Sequence, residues 1–150
     1  MLIASVGAAF PPNYYDQDQL IAAFRDQWGE RHKNLDRIER LHRNVLVGGR
    51  HLALKMEEYD QADTFGKTND AWIRVAQQVG EQAVREAVQR SGVPWDRFGA
   101  FLSVTVTGVA TPSIEARLLN RIPELPRHIK RTPIFGLGCV AGAAGISRAA

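Results

Sequence analysis

The chain has 150 residues, of which 45% are hydrophobic and 23% are charged, and its formal net charge is +3. This composition is typical of one soluble, core-forming domain and excludes a disordered chain. The small basic excess is spread along the sequence, so it favours an anionic small ligand at most, and we expect no nucleic-acid partner.

The cysteine count and the N-terminus indicate in which cellular compartment the protein functions. A single cysteine excludes an internal disulfide, and the absence of spacings such as HExxH or CxxC predicts that there is no metal site. The N-terminus has no basic leader, and no stretch approaches the roughly 20 apolar residues that a membrane span needs. We therefore expect a cytoplasmic protein with no membrane span.

The predicted elements begin with a buried strand over residues 2–10 and a turn that Asp16 closes as an N-cap. A helix ending near Gly29 follows, with one apolar stripe formed by Leu20, Ile21, Phe24 and Trp28. A second short helix carries Leu35, Ile38 and Leu41. A Gly-interrupted segment then leads to a short strand over residues 51–54, followed by a polar loop with at most one helical turn.

From Asn69 the apolar spacing predicts a long helix, which Ser91, Gly92 and Pro94 terminate. The β-branched run AFLSVTVTG predicts a central strand. Thr111 is the candidate N-cap of the next helix, with Pro112 at its first helical position. The run RTPIFG predicts a last strand, and CVAGAAGISRAA predicts a helix of small residues.

The resulting order, β-α-α-β-α-β-α-β-α, predicts an α/β domain with a largely parallel central sheet over residues 1–150. The last helix carries no stop signal such as Gly or Pro. We therefore expect the domain to be incomplete at its C-terminal end.

The only cysteine, Cys139, is placed where the last predicted strand turns into the last helix. Peptide dipoles and unpaired N–H groups at a helix N-terminus stabilise a thiolate, so we expect a reactive sulfur whose own N–H can serve an oxyanion hole. Gly136 and Gly138 permit a tight turn before it, and Gly142 and Gly145 permit close helix packing after it.

Two other readings of this segment remain open. A lone intracellular cysteine is most often a small buried apolar residue. The run GLGCVAG also loosely matches a dinucleotide-binding turn, but the third glycine is misplaced and the acidic residue expected about 20 positions later would fall beyond the end of the sequence.

The segment GLGCVAGAAGISRA resembles the active-site motif of type III polyketide synthases, the chalcone and stilbene synthase family of the thiolase superfamily. The runs GGRHLAL followed by EEY, and VTVTGVATPS with the helix after it, support the resemblance in the same order and spacing. The chain lines up with about the first 40% of such an enzyme. The resemblance implies a thiolase-like αβαβα layered fold, of which this chain is the first half, and an obligate homodimer.

The resemblance implies an acyltransferase whose Cys139 accepts a starter acyl group from acyl-CoA and extends it by decarboxylative condensation with malonyl-CoA. It also implies a pyrone, resorcinol or phloroglucinol type of product and no tightly bound cofactor. The family's histidine and asparagine partners come from the second half, so we transfer neither role to a residue here, and we expect the 150 residues alone to be inactive. Of the histidines, we expect His32 and His42 to be solvated and His51 to be structural.

The resemblance implies that Thr107 and Thr111 contact the substrate: Thr107 lines the acyl cavity, and Thr111 lies near the dimer contact, where it can border the partner's cavity. Thr107 also fits the end of a strand, and Thr111 also fits a helix cap. It places the basic residues Arg43, Arg50 and Lys55 at the binding site for the coenzyme A phosphates, where Gly48 or Gly49 replaces a lysine of the plant members. Two alternatives stay open: a non-catalytic dimerising module of thiolase-like fold, and a condensing enzyme of the ketoacyl synthase type.

Overall fold

The computed structural model describes residues 2–29 and 33–150 and divides the chain into two compact units. One unit is the segment 10–63, and the other contains residues 2–9 with the segment 64–150. The prediction of one domain over residues 1–150 stays a prediction. None of the helices in the described ranges has the length and apolar composition that a membrane crossing requires.

The unit of residues 10–63 contains two strands and two helices. They are β1 (Asn13–Asp16), α1 (Gln17–Trp28), α2 (Leu35–Asn44) and β2 (Gly49–Leu52), followed by a 3₁₀ turn at Met56–Gln61. The predicted N-cap is confirmed: the Asp16 carboxylate accepts a hydrogen bond from the Gln19 N–H at 2.8 Å, and the Gln19 side chain accepts one from the Asp16 N–H. Strand β2 begins two residues before the predicted strand over residues 51–54.

The unit that contains residues 64–150 is built around one long helix and a parallel strand pair. Its elements are α3 (Phe65–Ser91), a 3₁₀ turn (Trp95–Arg97), β3 (Ala100–Thr105), α4 (Ile114–Arg121), β4 (Lys130–Phe135), a second 3₁₀ turn (Gly138–Val140) and α5 (Ala141–Ala149). Helix α3 starts earlier than predicted, at the N-cap Thr64, and ends as predicted at Gly92, whose φ of 65° suits glycine.

The core of this unit lies where α4 and the turn after it meet α3 and β3. Its buried apolar residues are Leu118, Leu119, Ile122, Leu125 and Ile129. Gly80 permits the close approach of α3, since a Cβ there would lie 3.2 Å from a methyl carbon of Leu118. This packing holds β3 and β4, and therefore the ends of both strands, in a defined position.

The strands pair differently from the prediction of one largely parallel central sheet. Strands β3 and β4 are parallel, but β1 and β2 pair antiparallel in a separate two-stranded sheet. From α1 onward the order of elements is the predicted one, but the first strand is Asn13–Asp16, where the sequence predicts a turn, rather than residues 2–10.

The predicted buried strand over residues 2–10 is wrong. Residues 2–9 have no regular structure, and α3 satisfies part of their backbone: the Ala8 N–H donates to Glu86 at 2.6 Å, and Arg90 donates to the Val6 carbonyl at 3.1 Å. Leu2 is 89% exposed. The apolar composition of this segment therefore does not lead to burial in the described part of the chain.

The predicted cap at Thr111 is also wrong. Helix α4 begins at Ile114, so Ser113 occupies the N-cap position, and Pro112 follows Thr111 through a cis peptide bond outside the helix. The Arg117 side chain donates to the carbonyl oxygens of Pro112 at 2.8 Å and Thr111 at 3.4 Å. These contacts hold both residues ahead of the first helical turn.

Candidate functional site

Cys139 lies on a tight turn between β4 and α5. Strand β4 ends at Phe135, and the turn passes through Gly136 (φ 83°) and Gly138 (φ 56°), both in the left-handed region that glycine adopts without strain. Cys139 occupies the 3₁₀ turn directly before α5, and its side chain is exposed. The predicted strand-to-helix turn is therefore confirmed, and in the described chain this cysteine is not a buried apolar residue.

The glycines after the cysteine behave differently from each other. A Cβ on Gly145 would lie 3.2 Å from a methyl carbon of Val104, so Gly145 lets α5 approach β3 closely. A Cβ on Gly142 would meet nothing within 4 Å. The predicted close packing therefore holds for Gly145 and not for Gly142 in this chain.

The segments after β3 and β4 leave the same edge of the sheet. The two strands are parallel, and their last residues, Thr105 and Phe135, are paired. The Gly136 N–H donates to the Thr105 carbonyl at 3.4 Å, so the first residue after β4 stays next to the last residue of β3. Since ligands of α/β proteins bind at the carboxyl ends of parallel strands, this edge is the candidate site.

Thr107 and Thr111 both lie on the segment 106–113 that follows β3. Both are exposed, and the Thr107 N–H donates to the Thr105 hydroxyl oxygen at 3.2 Å. Thr107 comes two residues after the end of β3, so it does not itself end the strand. The structure thus puts both threonines on the connection that leaves the same sheet edge as the cysteine turn.

A small cavity of about 70 Å³ lies under the segment 106–113. Its lining includes Trp72 of α3, Val109 of the segment and Phe135 at the end of β4. Neither Thr107 nor Thr111 lines it. This cavity holds about two water molecules at most, so it is a packing feature rather than a site for an acyl chain.

The predicted phosphate-binding residues belong to the unit of residues 10–63. Arg43 is engaged in ion pairs with Asp18 at 2.8 Å and Glu39 at 3.0 Å, and the hydrogen bonds to Asp18 and then Glu39 raise the pKa of its guanidinium. Arg50 and Lys55 are exposed, and no carboxylate in the described ranges forms an ion pair with either. Their charges are therefore available to an anion, whereas that of Arg43 is largely compensated.

Arg50 also borders an apolar pocket within the same unit. The pocket has a volume of about 280 Å³ and is lined by Leu20, Ala23, Phe24, Gln27, His42, Arg50, Leu52, Met56 and Tyr59. His42 is half-buried here: its backbone carbonyl accepts a hydrogen bond from the Gln17 amide at 2.7 Å, and its ring lies 6.0 Å from that of Phe24. The expectation that His42 is solvated is therefore wrong.

Of the remaining histidines, only His128 belongs to the described part of the unit that carries Cys139. His51 stacks on Phe10 at 5.0 Å and contacts the Pro11 carbonyl, in agreement with a structural role. His128 precedes β4 whereas Cys139 follows it, and six strand residues span about 20 Å. His32 and the side chain of Trp28 lie outside the described residues. Within the described ranges, no group of His, Cys, Asp and Glu side chains is arranged to hold a metal ion.

Sequence reasoning missed a buried acid near the site. Glu115 is 1% exposed, and its carboxylate accepts hydrogen bonds from the hydroxyls of Ser103 at 2.5 Å and of Ser113. The signal was available, because Glu115 is spaced as part of the apolar stripe that continues through Leu118 and Ile122 of α4 and the turn after it. A carboxylate at a core position needs donors, and these two serines supply them.

Comparison with known proteins agrees with this architecture. The chain is 38% identical over 146 residues to the 1,3,6,8-tetrahydroxynaphthalene synthase of Streptomyces peucetius subsp. caesius, covering 97% of this chain and 38% of the synthase. It is 33% identical over 153 residues to a putative chalcone synthase of Bacillus subtilis, covering 99% and 42%, and 31% identical over 140 residues to a phloroglucinol synthase of Pseudomonas fluorescens, covering 93% and 40%. The chain thus spans about two fifths of the length of these relatives.

The crystal structure of a fungal type III polyketide synthase shows the same fold. It superposes with a TM-score of 0.85 at 15% identity, covering 98% of this chain and 39% of the fungal chain. The expected thiolase-like fold is therefore confirmed, with this chain as its N-terminal part. The family model for the N-terminal domain of chalcone and stilbene synthases matches residues 1–150. The chain therefore belongs to the chalcone and stilbene synthase family, and the part of that fold which it contains is the N-terminal domain.

Proposed function

We propose that this chain supplies the acyl-loading cysteine of a type III polyketide synthase. The observation that carries the proposal is the exposed Cys139 on the glycine turn before α5, at the carboxyl edge of the β3–β4 pair. The exposed sulfur is accessible to an acyl thioester, and cysteine is a nucleophile that forms thioesters in turn. Membership of the family supports the same assignment.

The proposed chemistry has two steps. The Cys139 thiolate attacks the carbonyl carbon of an acyl-CoA, a new carbon–sulfur bond forms, and coenzyme A leaves as a thiol after taking up a proton. Malonyl-CoA then loses carbon dioxide, and its carbanion attacks the Cys139 thioester. The carbon–sulfur bond to Cys139 breaks, the thiolate is regenerated, and the extended chain leaves on coenzyme A.

Coenzyme A is the proposed carrier because its phosphates match two exposed cations of the predicted phosphate-binding set. Arg50 and Lys55 are exposed without a carboxylate ion-pair partner in the described ranges, so we assign phosphate contacts to these two rather than to Arg43. Thr107 and Thr111 are the proposed acyl-facing residues. The proposed reaction needs no tightly bound cofactor.

The products named for the relatives support an aromatic polyketide. Two of them are synthases of tetrahydroxynaphthalene and phloroglucinol. A general base and an oxyanion partner for condensation are not identified among the residues described here. We therefore expect the 150 residues alone not to carry out condensation. The cytoplasmic location and the homodimer stay predictions.

The test is the intact mass of the protein expressed from its complete gene, before and after incubation with acyl-CoA. Since Cys139 is the only cysteine of the chain, we expect one acyl adduct in this part of the protein that hydroxylamine removes. The Cys139→Ala variant should show no such adduct. An Arg50→Ala, Lys55→Ala double variant should need a higher acyl-CoA concentration for the same adduct, whereas Arg43→Ala should change it little.

The proposal would be wrong if the protein stays unmodified, or if the adduct persists in Cys139→Ala. The rate of alkylation of Cys139 by iodoacetamide then separates the remaining alternatives. A rate at neutral pH no faster than that of free cysteine would favour the non-catalytic module. An adduct formed from an acyl-carrier-protein thioester and not from acyl-CoA would favour the ketoacyl synthase type.

A further inference from the structure

The segment 106–113 has no regular secondary structure, yet Asn69 of α3 holds its centre at two points. The Asn69 side-chain amide donates to the Val109 carbonyl at 2.8 Å, and its carbonyl oxygen accepts from the Val109 N–H at 2.8 Å. One side chain thus satisfies both backbone groups of Val109, as a neighbouring strand would. A residue with only a donor or only an acceptor cannot do this.

Close packing next to Val109 adds to these two hydrogen bonds, which we call the Asn69 anchor. Gly108 is buried against α3, and a Cβ there would overlap the ring of Trp72 and lie 2.7 Å from the Asn69 side-chain oxygen. The backbone of the segment therefore touches both α3 side chains directly. This position needs glycine because a side chain would clash with α3, and not because of its backbone conformation.

The far end of the segment is held by two side chains of α4. Glu115, at 1% exposure, joins Ser113 to Ser103 of β3, and Arg117 donates to the Pro112 and Thr111 carbonyls. The segment is thus anchored at its centre by α3 and at its end by α4. Thr111 belongs to the end held by α4, and Thr107 lies on the other side of Val109.

The anchored segment also leaves the same sheet edge as the cysteine turn. Val109 and Phe135 line one small cavity, and Phe135 is directly followed by the turn that carries Cys139. A shift of the segment would therefore change the surface beside the nucleophile without altering the nucleophile itself. Contacts that hold a loop in one position fix the shape of the site beside it, and a fixed shape discriminates between substrates.

We propose that Asn69 is a positioning residue that, through Val109, fixes the segment 106–113 and thereby sets which acyl chain lengths are loaded onto Cys139. The inference rests on the proposed function, and it assigns acyl selectivity to a helix residue that lies outside the connection carrying Thr107 and Thr111. Loss of the anchor lets the segment move away, so longer acyl chains are accepted.

The test is a competition between butyryl-CoA and dodecanoyl-CoA for Cys139 in the protein from the complete gene, read as the ratio of the two adducts by intact mass. Asn69→Leu removes both hydrogen bonds at similar volume, and we expect the dodecanoyl share to rise about tenfold. Asn69→Asp keeps the acceptor for the Val109 N–H but places a carboxylate oxygen opposite the Val109 carbonyl, and we expect a rise of about threefold or more. The control Asp70→Ala changes an exposed neighbour on the same helix and should leave the ratio within about twofold of the wild type.

Amide hydrogen exchange at Val109 shows whether the anchor was released. We expect exchange about tenfold faster in Asn69→Leu than in the wild type. Faster exchange with an unchanged adduct ratio would overturn the inference and leave the proposed function intact. If Asn69→Leu does not fold, an unchanged ratio in Asn69→Asp has the same meaning. A wild-type protein that forms no adduct would overturn the proposed function and this inference together.

Discussion

The two units of the molecule are stabilised in different ways. Among the described residues, the only buried apolar side chain of the segment 10–63 is Ile21, whereas the segment 64–150 buries a cluster centred on Ile122, which is 0% exposed. Helices α1 and α2 are instead joined by exposed ion pairs of Arg25 and Arg43 with acidic partners. Exposed ion pairs contribute little to stability, so the first unit depends on half-buried apolar contacts.

This difference has a consequence for the candidate site. The cysteine turn and the segment 106–113 both belong to the unit with the apolar core, where close packing defines positions to within small distances. The proposed phosphate contacts, Arg50 and Lys55, belong to the unit without such a core. Recognition of a phosphate by long, charged side chains tolerates this, because the attraction between charges depends only weakly on exact geometry.

The largest expected effect is the loss of stability on truncating one buried isoleucine to alanine in each unit. Ile122→Ala should lower the free energy of unfolding by about 4 kcal/mol, since its buried neighbours leave a closed cavity. Ile21→Ala should lower it by about 2 kcal/mol, because the half-buried surroundings relax more easily. Urea unfolding followed by far-UV circular dichroism measures both. Equal losses would contradict the contrast between the units.

A smaller effect is expected from two glycines of the cysteine turn and α5. Gly136→Ala forces a side chain into φ 83° and should cost about 1 kcal/mol. Gly142→Ala lies in a helix with open space around the new Cβ and should stabilise the protein by about 0.5 kcal/mol. Thermal unfolding compares the two variants. A destabilising Gly142→Ala would mean that a part of the protein outside these residues packs against α5.

The smallest effect concerns the ion pairs, which both units contain. Hydrogen bonds from Arg25 and then Arg43 lower the pKa of Glu39, and hydrogen bonds from Arg85 and then Arg121 lower the pKa of Glu81. A lowered folded-state pKa stabilises the fold above the unfolded value near 4.5, and this contribution is lost as the pH falls through the folded value.

Glu39→Gln and Glu81→Gln should therefore each lower the melting temperature slightly at neutral pH and have no effect at about pH 2, with both differences reduced by salt. Their side chains are similarly exposed, at 23% and 20%. We expect effects of the same size in thermal melts across pH. A clearly larger effect of Glu81→Gln would show that ion pairs, and not the core alone, distinguish the two units.

The local features of the chain were predictable from its sequence. The capping box at Asp16, the αL termination at Gly92 and the glycine turn around Cys139 each depend on residues within a few positions of one another. From α1 onward the order of strands and helices followed from the same local patterns, and the cysteine motif with its spacing identified the family. These signals are local because backbone conformation and capping are decided over one or two turns.

Features that depend on distant partners were not predictable. The sequence of the segment 2–9 predicts a strand, but its backbone forms hydrogen bonds with side chains of α3 that are about 80 residues away. Thr111 reads as a cap, but Arg117 binds its carbonyl and Ser113 takes the cap position. His42 reads as solvated because its packing against Phe24 joins two helices.

By itself, the sequence determined the kind and order of the elements from α1 onward and the glycine turn that carries Cys139, since these depend on residue type and short spacing. Only the tertiary structure decided that the segment carrying Thr107 and Thr111 leaves the same sheet edge as Cys139, because that follows from the parallel pairing of β3 and β4. It also decided which side chains hold that segment. The contacts of Asn69 with Val109 join residues 40 positions apart, and only folding brings them within hydrogen-bonding distance.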